Sequence, residues 1–426
     1  MQKILIQNGT LIDPKTEQVQ KADLLLADGV IAAIGADLSV PDAELIDATG
    51  LVVAPGLVDM HVHLRDPGQT HKEDILTGCK AAAAGGVTSV LAMPNTNPTT
   101  DTPETIRYIL NKAEEADARV YVAAAITHDL ASGELNDLVA LREAGAIALT
   151  DDGRPVENTK FMAQAMLQSP ELGMRVVSHC EDLFLARGGL MNEGIVSKEL
   201  GVQGIPAAAE DCGTARDIAL AAAYHVPIHI CHVSTRTSLD MIRDAKRRGV
   251  QVTAETAPHY FTLTEEAVRG KDADYRMNPP LRTEADRLAM LEAVKDGTID
   301  AIATDHAPHA PKEKADFLKA PNGVVGMETS FAASYTTLVK GGVLSLPKLL
   351  RLMSYQPAQL LHIPGGSLQQ GEIADIILID ENAQWMVEPE KLHGKSKNAV
   401  FKGRTLQSKI KMTICKGRIV YQDTEE

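Results

Sequence analysis

Residues 56–68 read GLVDMHVHLRDPG, an apolar run that closes on His61, His63 and Arg65 at strict two-residue spacing. In an extended strand these three side chains leave one face while Val62 and Leu64 pack behind the other. Two imidazoles and a guanidinium then share one small volume. That suits a metal-ligand pair beside an anion-binding fork, although an exposed strand edge carries the same pattern. The run is the first of eight. VTSVLAMPN, VYVAAAIT, AIALTDD, RVVSHCE, PIHICHVS, VQVTAETAPH and IDAIATDH follow it, separated by segments of helical composition such as PETIRYILNKAEEA and SLDMIRDAKRRG. Strands alternating with helices imply right-handed parallel crossovers, and eight such units close into a ring. The expected fold is α/β, a (β/α)8 TIM-type barrel over residues 55–365.

The flanks follow a different grammar. KILIQNGTLID, ADLLLADGVIAAIG and AELIDATGLVVAPG are short alternating runs bounded by Gly, Asp or Asn, as in antiparallel hairpins. GEIADIILID, NAVFKGRTLQ and KIKMTICKGRIVYQD repeat this pattern near the other end, so residues 1–54 and 366–426 are expected to build one small β-sandwich domain from both chain termini. The Lys-rich tract within residues 395–418 reads as the solvent face of a sheet.

Composition narrows the function. The 57 acidic and 42 basic residues give a net charge of −15, which argues against nucleic-acid and membrane-surface partners, since both call for a basic field. An acidic protein that binds an anion needs a local cation, and Arg65 or a metal supplies one. Five cysteines without CxxC spacing point to a reducing cytoplasm. Cys180 and Cys231 read as packing residues that alternation turns away from His179 and His232. MQKILIQNGTLID has no long apolar run behind a basic head, and no stretch approaches about 18 apolar residues, so neither a signal peptide nor a membrane span is expected.

Seven of the eight runs end in a residue able to bind a metal or hydrogen-bond a ligand: His61 and His63, Asn95, Asp151 and Asp152, His179, His232, His259 and Asp305. Thr127 and His128 end the remaining one. Barrel active sites lie at the carboxyl ends of the strands. Imidazoles and carboxylates without clustered thiolates suit zinc. His61, His63, His179, His232 and Asp305 are too many ligands for one tetrahedral ion that keeps an open position, whereas two ions bridged by a carboxylate use them all. ALTDDG offers the bridge. Asp152 is in phase with the small Ala148 and Thr150, and Asp151 with the bulky Ile147 and Leu149. Bulky aliphatics face the helices of a parallel barrel, so Asp152 is the expected bridge and Asp151 the alternative.

HVHLRDPG, MPNTNP, DDGRPV, SHCE, CHVS, RMNPPLR and TDHAPH, with GIPAAAED, NGVVGMETS and GEIADIILID, resemble the cyclic amidohydrolases. Within them the set is similar to the dihydroorotase family, of the bacterial class I type that bridges its metals with an aspartate, not a carboxylated lysine. The resemblance spans the whole chain. It implies interconversion of L-dihydroorotate and N-carbamoyl-L-aspartate in pyrimidine (UMP) biosynthesis, with two zinc ions per chain, or one at minimum. A metal-bound hydroxide is then the nucleophile and Asp305 the acid/base. The resemblance gives the substrate carboxylate to Arg65 and Asn95 and the ring amide to Asn278. It adds substrate contacts at His63 and His309, and backbone contacts at Asn322 and Gly323. Family members often carry an aromatic before Gly323, where this chain has Asn322. Residues 310–323, rich in Lys, Pro and Gly, read as a mobile loop that gates the site. His128 and His259 match no ligand position. A homodimer, or association with a carbamoyltransferase, is compatible with the resemblance.

The nearest alternative is a hydantoinase or allantoinase. These share the barrel and the histidine pair but generally place a lysine at the fourth strand, and a substrate without a carboxylate leaves Arg65 idle. An inactive scaffold is expected to lose metal ligands, and all six are present.

Overall fold

The computed structural model describes residues 3–424. Eight parallel strands pair in chain order: Leu57–Val62, Val87–Ala92, Arg119–Ala124, Ala148–Leu149, Arg175–Ser178, Ile228–Ile230, Val252–Thr256 and Ala301–Ile302. A parallel bridge joins Val62 to His306, and the His63 amide donates to the His306 carbonyl at 2.8 Å, which returns the eighth strand to the first. The expected barrel is therefore closed. The connecting segments fold as helices where threonines start them: Thr102 caps Pro103–Lys112 and Thr235 caps Arg236–Arg247, each accepting from an amide three residues on.

Alternation sorts the apolar side chains into two layers. Leu149, Val176, Ile230, Ala254 and Ile302 pack in the outer core. Val58, Met60, Leu91, Met93, Ala148 and Ala301 pack inside the barrel. The first strand departs from regular alternation, because its pairing slips by one residue between Asp59 and Val62. Bulges of this kind re-aim side chains. Met60 lies in the interior cluster and Val62 in the outer one, and the extra residue lets both His61 and His63 face inward. The Asp59 carboxylate braces this distortion, accepting from the Thr304 amide at 3.1 Å, the Thr304 hydroxyl at 2.6 Å and the His61 amide at 3.2 Å.

Two further sheets come from the chain ends. One contains Ile4–Gln7, Asp23–Ala27, Val30–Gly35 and Glu44–Asp47. The other mixes Thr10–Asp13, Gln18–Lys21 and Val52–Pro55 with Ile376–Met386, Thr405–Cys415 and Arg418–Gln422. Ile4, Ile6, Leu24, Val53, Ile376 and Ile414 share one core between them, which makes the sandwich. Ile377, Ile379 and Ile410 point the other way and join the outer core of the barrel. Arg119 of the third barrel strand adds an ion pair to Asp375 at 2.8 Å. No helix among the described residues is long and apolar enough to cross a membrane. All five cysteines are unpaired.

Candidate active site

With one exception, every residue expected in the site lines a single cavity of about 210 Å³. The exception, His61, is fully buried against it. A larger cavity of about 510 Å³ lies beside Trp385 and Tyr421 and contains none of these residues.

Asp152 is the hub. Its Oδ1 lies 3.1 Å from His61 Nε2, 3.4 Å from His232 Nε2 and 3.6 Å from His179 Nδ1, and its Oδ2 lies 3.3 Å from His63 Nε2. Asp305 Oδ1 completes the group at 3.0 Å from His63 Nε2 and 3.7 Å from His61 Nε2. His61, Asp152 and His232 form one candidate ligand set, and His61, His63 and Asp305 a second. Asp151 points elsewhere: it accepts from the Ile126 amide at 2.7 Å, the Thr127 amide at 3.0 Å and the Thr127 hydroxyl, and so holds the end of the third strand.

The electrostatics of the cluster require positive charge. Burial opposes charge on His61, yet the Asp152 carboxylate raises its pKa well above the usual imidazole value. Burial likewise opposes charge on Asp152, and His61 and His232 hold it well below the carboxylate range. A proton or a metal ion meets this demand. Ligand atoms around a tetrahedral zinc with bonds of about 2.0–2.1 Å lie roughly 3.3–3.4 Å apart. The contacts above scatter about that value. His61 Nε2 is also buried without a hydrogen-bond partner, as an imidazole nitrogen reserved for a cation is. The donor set therefore fits zinc.

Alternation alone does not deliver all of these groups. Arg65, His232 and Asp305 have φ of 60°, 34° and 49°, the left-handed region that non-glycine residues avoid and that clusters at functional sites. The first strand ends at Val62, so Arg65 reaches the cavity by this turn and not by strand periodicity. The turn at His232 also corrects the expectation for Cys231. Its thiol is not turned away but lies within 4.8 Å of the ligand atoms of His61 and Glu255. Cys180 does pack in the outer core.

Groups behind the imidazoles fix their orientation. The His63 Nδ1–H donates to Asn95 Oδ1 at 2.7 Å, so Asn95 supports a ligand as well as lining the cavity. His179 Nε2 meets Glu181 Oε2 at 3.3 Å, and Asn278 Nδ2 donates to Glu181 Oε1 at 2.9 Å. His61 Nδ1 meets Glu255 Oε1 at 2.9 Å. Glu181 and Glu255 were missing from the residues singled out in the sequence, although both sit inside quoted runs, SHCE and VQVTAETAPH. Their signal is an acid on an inward strand position or just past it.

On the opposite wall, burial brings Arg65 down to about 10, so it remains a cation at neutral pH. Its Nε donates to the Pro308 carbonyl at 3.2 Å, its Nη2 lies 3.4 Å from His309 Nε2, and among the described residues no carboxylate pairs with it. His309 Nε2–H donates to the Asn322 carbonyl at 2.8 Å, while Nδ1 has no hydrogen-bond partner. The loop of residues 310–323 is anchored. Lys314 Nζ donates to the carbonyls of Arg276, Pro321 and Gly323 at 3.2, 3.0 and 3.0 Å, and Phe317 is buried beneath. Gly323 has a φ of 140° and sits so close that a Cβ would stand 2.7 Å from Ala307 and 2.9 Å from His309 Nε2. Its amide is committed to the Arg276 carbonyl at 2.9 Å. His128 is exposed, and His259 is buried outside the cavity lining, where burial lowers its pKa to about 4.

A Dihydro-orotase-like family profile matches residues 50–238. Over 422 residues the chain is 50% identical to a dihydroorotase of Geobacter metallireducens, covering 98% of this chain and 99% of that one. It is 48% identical to a dihydroorotase of Syntrophus aciditrophicus, covering 99% and 100%. Among solved structures it is similar to an L-hydantoinase (dihydropyrimidinase) from Arthrobacter aurescens, with a TM-score of 0.90, 25% identity, and 100% and 97% of the two chains covered. A dihydropyrimidinase from Brevibacillus agri gives 0.86 at 26% identity, covering 99% and 96%.

Proposed function

The chain belongs to the dihydroorotase family of cyclic amidohydrolases, and from that membership we propose that its cavity interconverts L-dihydroorotate and N-carbamoyl-L-aspartate with two zinc ions held by His61, His63, Asp152, His179, His232 and Asp305. Arg65 carries the substrate assignment. A buried guanidinium beside the reacting centre, hydrogen-bonded to the Pro308 carbonyl and paired with no carboxylate among the described residues, is completed by a ligand carboxylate through a charge-assisted fork. Bound in this donor set, the ions supply Lewis acidity toward the amide carbonyl and lower the pKa of water.

The side chains do the rest. Asp305 takes the proton of the attacking water and returns it to the ring nitrogen as the amide C–N bond breaks, and the reverse transfers close the ring. Its left-handed backbone sets the carboxylate against His63 and over the cavity. Arg65 and Asn95 hold the substrate carboxylate, and Asn278, steadied by Glu181, hydrogen-bonds the ring amide. Burial keeps His309 neutral by lowering its pKa to about 2, so its unpartnered Nδ1 accepts a substrate N–H. Asn322 and Gly323 close the wall of the cavity.

No lysine lines this cavity, and the fourth strand offers Asp152 in its place, which favours this substrate over hydantoins. The unpaired cysteines support a reducing compartment, the cytoplasm. Ultraviolet-monitored consumption of dihydroorotate, run beside hydantoin and allantoin with and without a chelator, tests the reading. Chelator-sensitive turnover of dihydroorotate alone is expected, and turnover of hydantoin or allantoin in preference to it overturns the proposal.

A further inference from the structure

Inside the barrel, on the far side of His61 from the cavity, lies a polar column that the chemistry above does not use. Glu255 Oε1 stands 2.9 Å from His61 Nδ1, Glu255 Oε2 stands 3.3 Å from His229 Nε2, and His229 Nδ1 stands 2.9 Å from Thr253 Oγ1. His61, Glu255 and His229 are at most 1% exposed. The Cys231 thiol lies within 4.8 Å of the ligand atoms of His61 and Glu255, and the rest of the barrel interior is built of aliphatic side chains such as Met60, Leu91 and Ala301. A carboxylate is costly in such a place unless its oxygens are matched by donors.

We infer that Glu255 is the positioning residue of the first metal site: by accepting the His61 Nδ1–H it fixes that ring's tautomer and aims Nε2 at the point between Asp152 and Asp305. The inference rests on the metal-dependent reading above. With Nδ1 donating, a neutral His61 ring carries its lone pair on Nε2, which faces Asp152 Oδ1 at 3.1 Å and Asp305 Oδ1 at 3.7 Å. A lone pair held that close to two carboxylates is stable only with a cation among them. His229 stands at the second oxygen: its Nε2 lies 3.3 Å from Glu255 Oε2, close enough to pair in charge although no hydrogen bond joins them, and its Nδ1 lies 2.9 Å from Thr253 Oγ1. Strand phase supports the design, because Val252 and Ala254 pack in the outer core and Thr253 and Glu255 take the inward positions between them. An acid behind a metal-bound imidazole raises the basicity of that ligand as well as orienting it.

The test compares the full-length wild type with Glu255→Gln and His229→Gln. Zinc affinity by competition with a chromophoric chelator should fall roughly 10- to 100-fold in Glu255→Gln and by less in His229→Gln. The visible spectrum of the cobalt-substituted protein should shift in the same order. The thermal midpoint of the metal-free protein serves as the folding control, because a purely structural role moves that midpoint and leaves both metal readouts in place. Nitrogen NMR of the wild-type zinc protein, labelled at histidine, adds a reading that no variant can obscure: His61 should carry its proton on Nδ1. Wild-type zinc affinity and an unshifted cobalt spectrum in a folded Glu255→Gln protein, or an Nε2–H tautomer at His61, overturn the inference. Failure of the wild type itself to bind zinc overturns the metal reading instead.

Discussion

Two adjacent aspartates at the end of the fourth strand have opposite employments, and they separate metal chemistry from scaffold. Asp152 touches four imidazoles, whereas Asp151 takes two backbone amides and a hydroxyl from residues 126–127. Asp152→Asn is expected to abolish turnover and strip zinc while the fold persists. Asp151→Asn should keep zinc and lose stability, by about 1–3 kcal/mol for weakened hydrogen bonds to a buried acceptor. Metal content and urea unfolding of the two proteins check this, and equal zinc loss in both variants refutes the division. Arg65 gives a second prediction. Lysine keeps the charge but lacks the planar fork. Arg65→Lys should therefore lower kcat/KM for dihydroorotate by roughly 10- to 100-fold, in line with the loss of one charge-assisted bond. The change should appear mainly in KM, so steady-state kinetics with an unchanged KM count against Arg65 as the carboxylate anchor.

Between strands, buried ion clamps hold the loops that shape the cavity. Arg282, from RMNPPLR, donates to Ser234 Oγ at 3.0 Å, Asn192 Oδ1 at 3.0 Å and the Ile205 carbonyl at 3.1 Å, and reaches Glu210 of GIPAAAED at 3.5 Å. Two motifs distant in the chain thus meet as one brace. Lys314 plays the same part for the loop over His309, and its titration is testable. Burial lowers its pKa from 10.5 to about 8. Between these values the unfolded chain holds the proton and the folded chain has released it, so this contribution to the unfolding free energy rises with pH. Below the window the buried charge costs about 3 kcal/mol. The stability of the wild type minus that of Lys314→Met should therefore grow by up to about 3 kcal/mol from pH 8 to 10.5, and urea titrations showing a flat difference refute it. What the sequence disclosed follows the same physics. The eight apolar runs, the histidine spacing and the choice of Asp152 over Asp151 are periodic facts, readable because alternation is local. The bulge at residues 59–62, the left-handed turns at Arg65, His232 and Asp305, and the pairing of Glu255 with His61 depend on contacts between distant strands, which no local period encodes. The segment of residues 310–323 reads as solvated from its lysines, and only the fold supplies the three carbonyls that hold Lys314.

Across the full chain, the terminal sandwich and the barrel share apolar surface, and the barrel in turn converges on the ligand cluster. Ile377, Ile379 and Ile410 from the terminal sheet sit in the outer barrel core, and Arg119 ties the third strand to Asp375. Neither part has a finished surface of its own, so the two are expected to unfold together. The first, fourth, fifth, sixth and eighth strands, or the residues just past them, supply the six residues proposed as ligands. On the proposed reading, zinc joins five of the eight strands at one rim. A ligand that binds only the folded state stabilises it by about 4 kcal/mol at a thousand times its Kd. Chelation should accordingly lower the melting midpoint by several degrees, and added zinc should restore both midpoint and activity. Removing the ions also leaves the buried carboxylates to be balanced by protons on His61 and His179, whose pKa values stand above the usual imidazole value, so the loss should be larger at pH 8 than at pH 6. Scanning calorimetry of holo and chelated protein at those two pH values decides it. One transition is expected in every scan. A second transition contradicts the shared core, and superimposable holo and chelated scans contradict a metal centre that braces the ring.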